Sequence, residues 1–530
     1  MLDEGRQQFE QHKAREIQRQ KQQGLGRPII STEFKGSRFV AVANKMYYGK
    51  WQTFSDFLGH YLKDVFGAAW GNAEIAKPLS ERHPILQWYE KLCHLQAAHA
   101  KQSGALFTTP LTGAVSAYNR LAYNLYLIAH NGEDIQSRLV SRLKNNDSFQ
   151  GAFHETQVAA WLIKAGFELE FEDEDDRTST HCEFTATHTA TGEKFSVEAK
   201  SRQIELGKAS RLKIGRSLYD ALVKKANHKR LVFIDLNKPL HTPDHAFYAM
   251  DRAERIIKSA ELQNINGAPA PEAYVCLTNT NDQYALDTPA VAMLALFLGF
   301  KIPDIMARSY VSFREAARAR ERHFPVFQLF KSIEEHRDIP QTFGGELPSE
   351  VFATKPKARM QVGQIYRVSG PSGAEVDAML TQALVHDGKA VCAFFDESTD
   401  QAWIAILPLT ADEIADYERH PDTYFGINDV KSGRKAETPM EIFDFFVEVY
   451  RNTPKARLIE MLANGGMSED LQAMSQIDLA ELLAERYATY AISQGAGNQP
   501  KRRKVVGISV AKAAPSELRN LRGELMCAIW

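Results

Sequence analysis

Glu183, Glu198 and Lys200 are the residues whose types and spacing can do chemistry. Glu198 and Lys200 stand two apart in the run Lys-Phe-Ser-Val-Glu-Ala-Lys-Ser-Arg at 194–202. On a strand they therefore share one face. The run His-Cys-Glu-Phe-Thr-Ala-Thr-His at 181–188 precedes it, and Thr191-Gly192 between the two is a hairpin turn signal. Folding the runs together brings Glu183 opposite Lys200 in one register and opposite Glu198 in the other. Either way, two carboxylates and an ammonium meet at one spot. Hard divalent cations, Mg²⁺ or Mn²⁺, take carboxylate oxygens and keep several waters. An ion held by Glu183 and Glu198 would lower the pKa of its water and neutralise charge developing on a phosphate. Lys200, a compact point charge, would orient the attacking water or stabilise the transition state. Glu-x-Lys on a strand is also an ordinary solvated face with a cross-strand ion pair, so placement among the neighbouring elements decides.

Those elements follow from periodicity. Residues 151–165 read as an amphipathic helix with Glu155 in its first turn. Phe-Glu-Leu-Glu-Phe at 167–171 alternates as a half-buried strand, and an acidic turn covers 172–176. The hairpin comes next, then a helix at about 214–226, then the apolar strand 229–236. The order is helix, three strands, helix, strand.

This order, with Glu155 on the helix, Glu183 on the second strand and Glu198-Ala-Lys200 on the third, resembles the PD-(D/E)xK, or restriction-endonuclease-like, nuclease superfamily. The resemblance covers about a sixth of the chain. It implies an αβββαβ core and a Mg²⁺- or Mn²⁺-dependent endonuclease acting on DNA, in restriction, repair or defence against foreign DNA. It implies Glu183, Glu198 and Glu155 as metal ligands and Lys200 as a catalytic residue beside them. The superfamily usually carries Asp where this chain has Glu183; Asp175 or Asp176 is the alternative ligand. A core that has lost cleavage and acts as a nucleic-acid-binding or assembly scaffold is the alternative function.

A basic stretch lies beside the candidate site. From Lys200 to Arg230 there are ten basic residues against Glu205 and Asp220, a local charge of +8. Clustered positive charge is the footprint of phosphate-backbone binding. Arg202, Lys208, Arg211, Lys213, Arg216, Lys224 and Lys225 are the expected nucleic-acid contacts. Residues 497–530 carry seven basic residues against two acids and read as a basic tail. DNA is the expected partner; RNA stays open, and a homo-oligomer or partner protein is compatible with the sequence.

The remaining chain divides by composition. Residues 1–145 are expected to be a mainly helical domain, 146–345 the nuclease domain, 358–427 a small antiparallel β domain, 436–495 a helical region and 496–530 the tail. The fold class is α/β in this multidomain, α+β sense. Residues 3–24 read as a polar helix or a frayed tail, and 38–144 as mainly helical with many aromatics. Trp51, Phe54, Phe57, Tyr61, Trp70, Trp88 and Tyr89 have helical spacing, which favours a core over a base-stacking surface. Residues 340–356 read as a linker, and His241-Thr-Pro-Asp-His245 with Asp251 as a loop rather than a metal site. Ser369-Gly-Pro-Ser-Gly373 lacks the lysine of a P-loop and reads as a turn.

Composition narrows the class. The 530 residues carry 64 Lys plus Arg against 66 Asp plus Glu, a net charge of −2, with 44% hydrophobic and 25% charged residues. That is the balance of a globular protein. No apolar run approaches the ~18 residues that span a bilayer, and the N-terminus has no apolar signal segment. The five cysteines, at 93, 182, 276, 392 and 527, form no CxxC pair. They fit a reduced, cytoplasmic protein without structural zinc.

Overall fold

In the computed structural model, the described residues are 2–99, 106–132, 137–171, 182–201, 214–238, 243–280, 282, 285–288, 293–305, 312–352, 359–421, 423–426, 438–463, 470–495 and 524–527. The chain divides into two compact units. The first comprises Met1–Lys301, Gln328–Ser432 and Ile508–Trp530; the second comprises Ile302–Phe327 and Gly433–Gly507.

The first unit opens with α1 (Leu2–Gln23), the helical one of the two readings of that stretch. Then comes a departure. Where residues 38–144 read as mainly helical, a three-stranded antiparallel sheet stands first: β1 (Ile30–Phe34), β2 (Ser37–Val42) and β3 (Lys45–Gly49). The reason is local. Ser-Arg-Phe-Val-Ala-Val and Lys-Met-Tyr-Tyr-Gly are β-branched and aromatic, and two-residue turns join the strands. Lys35, Gly36 and Ala43 supply the positive φ that such turns demand, at 49°, 72° and 50°. The helices follow: α2 (Phe54–Phe66), α3 (Ala68–Ile75) and α4 (Pro84–His99). Thr53 closes a capping box on α2 with Asp56. A strand, β4 (Phe107–Pro110), leads to α5 (Gly113–Asn131), α6 (Ser137–Lys144) and α7 (Asn146–Lys164). Trp51, Phe54, Phe57, Tyr61 and Trp88 are buried core, as their spacing indicated, whereas Trp70 and Tyr89 are half-buried.

The central element is a six-stranded mixed sheet. Its strands are β5 (Phe167–Phe171), β6 (Phe184–His188), β7 (Lys194–Ser201) and β8 (Lys229–Asp235), with α8 (Ile214–Leu222) joining β7 to β8. Helix α9 (Pro243–Ala260) and a small hairpin, β9 (Asn264–Ile265) and β10 (Ala268–Pro269), precede β11 (Ala273–Asn279) and β12 (Leu294–Phe300). The spatial order is β12-β11-β8-β7-β6-β5. Strands β7, β8 and β11 run parallel to one another; the other neighbours are antiparallel. Such parallel connections need crossovers, which α8 and α9 provide. The stretch read as a loop at 241–245 is helical from Pro243 onward; proline at a helix start costs nothing because its missing N–H has no partner there anyway. His241 lies outside the described residues.

The sheet has two differently covered faces. Val232 and Ile234 of β8 pack with Ile214, Leu218 and Leu222 of α8 and with Ala249, Ala253 and Ile257 of α9. Phe233, between them, points the other way and meets Trp161 of α7 at 6.0 Å between ring centroids. Strand alternation thus assigns α7 to one face and α8 with α9 to the other.

Residues 365–408 form the expected antiparallel sheet, in the order β13 (Ile365–Ser369), β14 (Glu375–His386), β15 (Lys389–Asp396) and β16 (Gln401–Pro408). Asp387-Gly388 makes the tight turn, both at positive φ. The 340–356 stretch is more built than a linker: Thr342, Phe343 and Leu347 are buried, and Pro348–Phe352 is a short helix. Of the 497–530 tail, the described part is Glu524–Cys527, a strand paired with β4.

The second unit is helical. Phe313–Arg322 packs on Pro439–Tyr450 and Gln476–Gly495, with Lys455–Ala463 beside the last. Arg320 grips Asp444 through two 2.7 Å bonds, and Arg314 meets Glu485 at 2.8 Å. Thr438 caps Pro439–Tyr450, its side chain accepting from the Glu441 N–H. Among the described residues no helix is long and apolar enough to cross a membrane.

Candidate active site

The hairpin register selects between the two readings. Phe184 pairs with Val197, so Glu183 comes opposite Glu198. Glu183 itself immediately precedes β6, and its N–H donates to Val197 O at 3.0 Å, holding it in register. Gly192 takes φ 71° in the turn.

Glu198 is the most enclosed member of the cluster, with its side chain 1% exposed. Two ammonium groups converge on its Oε1: Lys200 Nζ, and Lys224 Nζ at 2.8 Å. Lys224 also lies 3.6 Å from Glu183 Oε1. Glu198 Oε2 is buried and has no hydrogen-bond partner among the described residues. Burial pushes the Glu198 carboxyl above its ordinary pKa, and the Glu183 charge adds to this; Lys200 and Lys224 pull against it without cancelling it. Burial works to lower the Lys224 pKa, but the Glu198 and Glu183 carboxylates overcome it and raise it. Cys182 sits alongside, donating from Sγ to Lys225 O at 3.6 Å, and burial with the Glu198 charge lifts its thiol to about 11. It is therefore an inert thiol and no nucleophile at neutral pH.

The placement of Glu155 is different. Helix α7 begins at Asn146, so Glu155 falls in mid-helix rather than in a first turn. Its buried carboxylate accepts from Arg142 of α6 at 2.7 Å. Glu198 and Lys200 pair with Val232 and Ile234, which face α8 and α9. The structure thus unites Glu183, Glu198 and Lys200 on one face and sets Glu155 on the helix that covers the opposite one. Among the described residues no group of three or more His, Cys, Asp or Glu side chains converges to hold an ion.

Sequence reasoning placed Lys224 among the nucleic-acid contacts and missed its bond to both carboxylates. The signal was present: Lys224 follows the helix α8 that returns the chain to the parallel strand beside β7. Arg216 and Lys225 are exposed, with Arg216 paired to Asp220 at 2.9 Å. Arg202, Lys208, Arg211 and Lys213 lie outside the described residues, as do Asp175 and Asp176.

On the α7 face, a small cavity opens at the C-terminal ends of the parallel strands. Gln150, His154, Gln157, Ser201, Asp235 and Thr280 line it with Phe153. Burial pushes Asp235 up to about 7, against donors from Thr278 at 2.9 Å and the Thr280 N–H at 3.1 Å. Burial takes His154 down to about 3, so it is neutral.

Compared with protein-family models, with curated proteins and with solved structures, the chain matches none.

Proposed function

We propose that this chain is a metal-dependent endonuclease that hydrolyses DNA phosphodiesters at the β6–β7 hairpin. The observation that carries the reading is Glu183 facing Glu198 across the hairpin with Lys200 beside it, in a helix–three strand–helix–strand order. That order and the antiparallel-then-parallel pairing are what a restriction-endonuclease-like core requires.

The donor set fits a hard divalent cation. Glu183 and Glu198 offer carboxylate oxygens, and Glu198 Oε2 is buried without a hydrogen-bond partner among the described residues. The raised Glu198 pKa means that two lysines under-compensate its charge, so a further positive charge is favourable there. When bound, Mg²⁺ or Mn²⁺ would supply a nucleophile at neutral pH and neutralise phosphate charge. Glu183 and Glu198 would hold it. Lys200, the more exposed ammonium at 27%, would donate to a phosphate oxygen and steady the charge that develops there. Lys224 would keep Glu198 ionised and aimed.

The test is plasmid cleavage with Mg²⁺ by the wild type, Glu198→Ala and Lys200→Ala. Cleavage is expected for the wild type and lost in both variants. Unchanged cleavage by both folded variants would overturn the site.

The convergence of two ammonium groups on Glu198 Oε1 favours a second reading, a nucleic-acid-binding scaffold in which lysines stand where a cation would. It predicts salt-sensitive DNA binding with no Mg²⁺-dependent cutting.

A further inference from the structure

The small N-terminal sheet has one satisfied face and one open face. Register divides its residues: Val40 pairs with Tyr47 and Ser31, while Phe39 pairs with Tyr48 and Thr32. Val40 and Val42 are fully buried, and Tyr47 packs edge-on against Phe57 and Tyr61 of α2. That is the inner face. The outer face carries Ile30, Phe34, Phe39, Met46 and Tyr48. Phe34 is 60% exposed, Met46 64% and Tyr48 72%. Phe39 and Tyr48 lie stacked across the strands at 6.0 Å between centroids, so their rings form a ledge.

Tyrosine and phenylalanine rings this exposed, side by side on three strands, cost solvation free energy unless something covers them. Charge indicates what. Arg38 and Glu33 pair at 3.0 Å and cancel. Lys35 and Lys50, both exposed, then give the outer face a positive border. Lys35 Nζ stands 5.2 Å over the Phe34 ring, so cation and aromatic face are already adjacent. An apolar protein partner has no use for a lysine rim. A base stacked on a ring with a phosphate beside it uses both.

We infer that the outer face of β1–β3 is a stacking platform for single-stranded nucleic acid, with unpaired bases on Phe34, Phe39 and Tyr48 and phosphates on the rim lysines. This goes beyond the hairpin site and needs no cleavage there. Trp51, Phe54, Phe57, Tyr61 and Trp88 are buried, whereas the most exposed rings of this region lie on the strands before the helices.

The test is an anisotropy titration of the full chain with a fluorescein-labelled oligothymidine of about 20 nucleotides, in EDTA. The wild type should bind, more weakly as salt rises. Phe34→Ala and Tyr48→Ala should each weaken binding about tenfold, and Tyr48→Phe should not. The two rings are exposed, so thermal melting should stay unchanged. A Phe34→Ala/Tyr48→Ala double variant that binds like the wild type would overturn the inference, as would a wild type that ignores the oligonucleotide. Self-association of the wild type, abolished in the double variant with the oligonucleotide ignored, would make the face a protein contact and equally overturn it. The Phe34→Ala/Tyr48→Ala double variant should cut duplex plasmid with Mg²⁺ as the wild type does, which separates this outcome from that of the hairpin site.

Discussion

Lys224, from outside the hairpin, reaches both of its carboxylates: Nζ lies 2.8 Å from Glu198 Oε1 and 3.6 Å from Glu183 Oε1. A side chain after helix α8 thus ties the two acids of adjacent strands into one electrostatic unit. Lys200 completes it from the same strand as Glu198.

Removing Lys224 should expose how much the unit depends on charge. In Lys224→Met, Glu198 keeps one ammonium and its pKa should rise further. The stability loss is expected at about 1–3 kcal/mol at pH 8 and should follow the ionised fraction of Glu198. Below the ordinary carboxylate range the loss should shrink, because a protonated Glu198 has no charge to compensate. Urea denaturation at the two pH values reads this, and an equal loss at both would contradict it.

Glu198→Gln separates stability from function. The folded pKa of Glu198 is raised, so its ionisation opposes folding. Stability from this group is present below the unfolded value and lost as pH rises through the folded one. At pH 8 the glutamine variant should therefore be as stable as the wild type or more so. Mg²⁺-dependent cleavage should fall at least about a hundredfold.

Glu155→Gln should behave in the opposite way. Its carboxylate serves Arg142, on the far face of the sheet from the hairpin cluster. Losing that buried charged bond is expected to cost about 1–3 kcal/mol. Cleavage per folded molecule should change far less than in Glu198→Gln. A loss equal to that of Glu198→Gln would place Glu155 in the catalytic machinery.

Asp235 should govern part of the pH dependence of stability. Its pKa is raised to about 7 in the fold against an unfolded value near 3.8. A raised pKa gives stability that is full below about 4 and lost as pH climbs to about 7. Asp235→Asn, a mimic of the protonated form, should lose this trend, and its margin over the wild type should grow by a few kcal/mol between pH 4 and pH 8. His154, held neutral, titrates in the other sense at lower pH and is common to both proteins.

Gly113 offers a test of packing alone. A Cβ there would stand 2.2 Å from Asp282 O and 2.5 Å from Ala285 O, both backbone atoms. Gly113→Ala should destabilise by about 1–3 kcal/mol, read as a lowered melting temperature.

The central order was legible because each element announced its own period. Phe167–Phe171 and the hairpin alternate strictly, and Gly192 marks the turn. The register was not legible, since a turn dipeptide leaves a two-residue slip open; the backbone bond from Glu183 to Val197 decides it. The first-turn placement of Glu155 failed, since its helix begins at Asn146. Helical position fixes neither which face of the sheet the helix covers nor what neighbour claims the carboxylate, and both depend on α6 and on the strand alternation of β8. Strands β1–β3 were missed because short aromatic strands beside long amphipathic helices look like more of the same apolar pattern. Their two-residue turns, Lys35-Gly36 above all, were the usable signal.

Strand β7 serves two masters residue by residue. Glu198 and Lys200 look toward α8 and α9, while Val197 and Ala199 look toward α7. Inserting a single residue before Val197 would invert this assignment at every later position and drive both charges into the apolar layer beneath α7. The strand can therefore tolerate length changes only in twos. Its two faces are locked to one another like the odd and even teeth of a gear, and a frame error at the hairpin would destroy core and site in the same step.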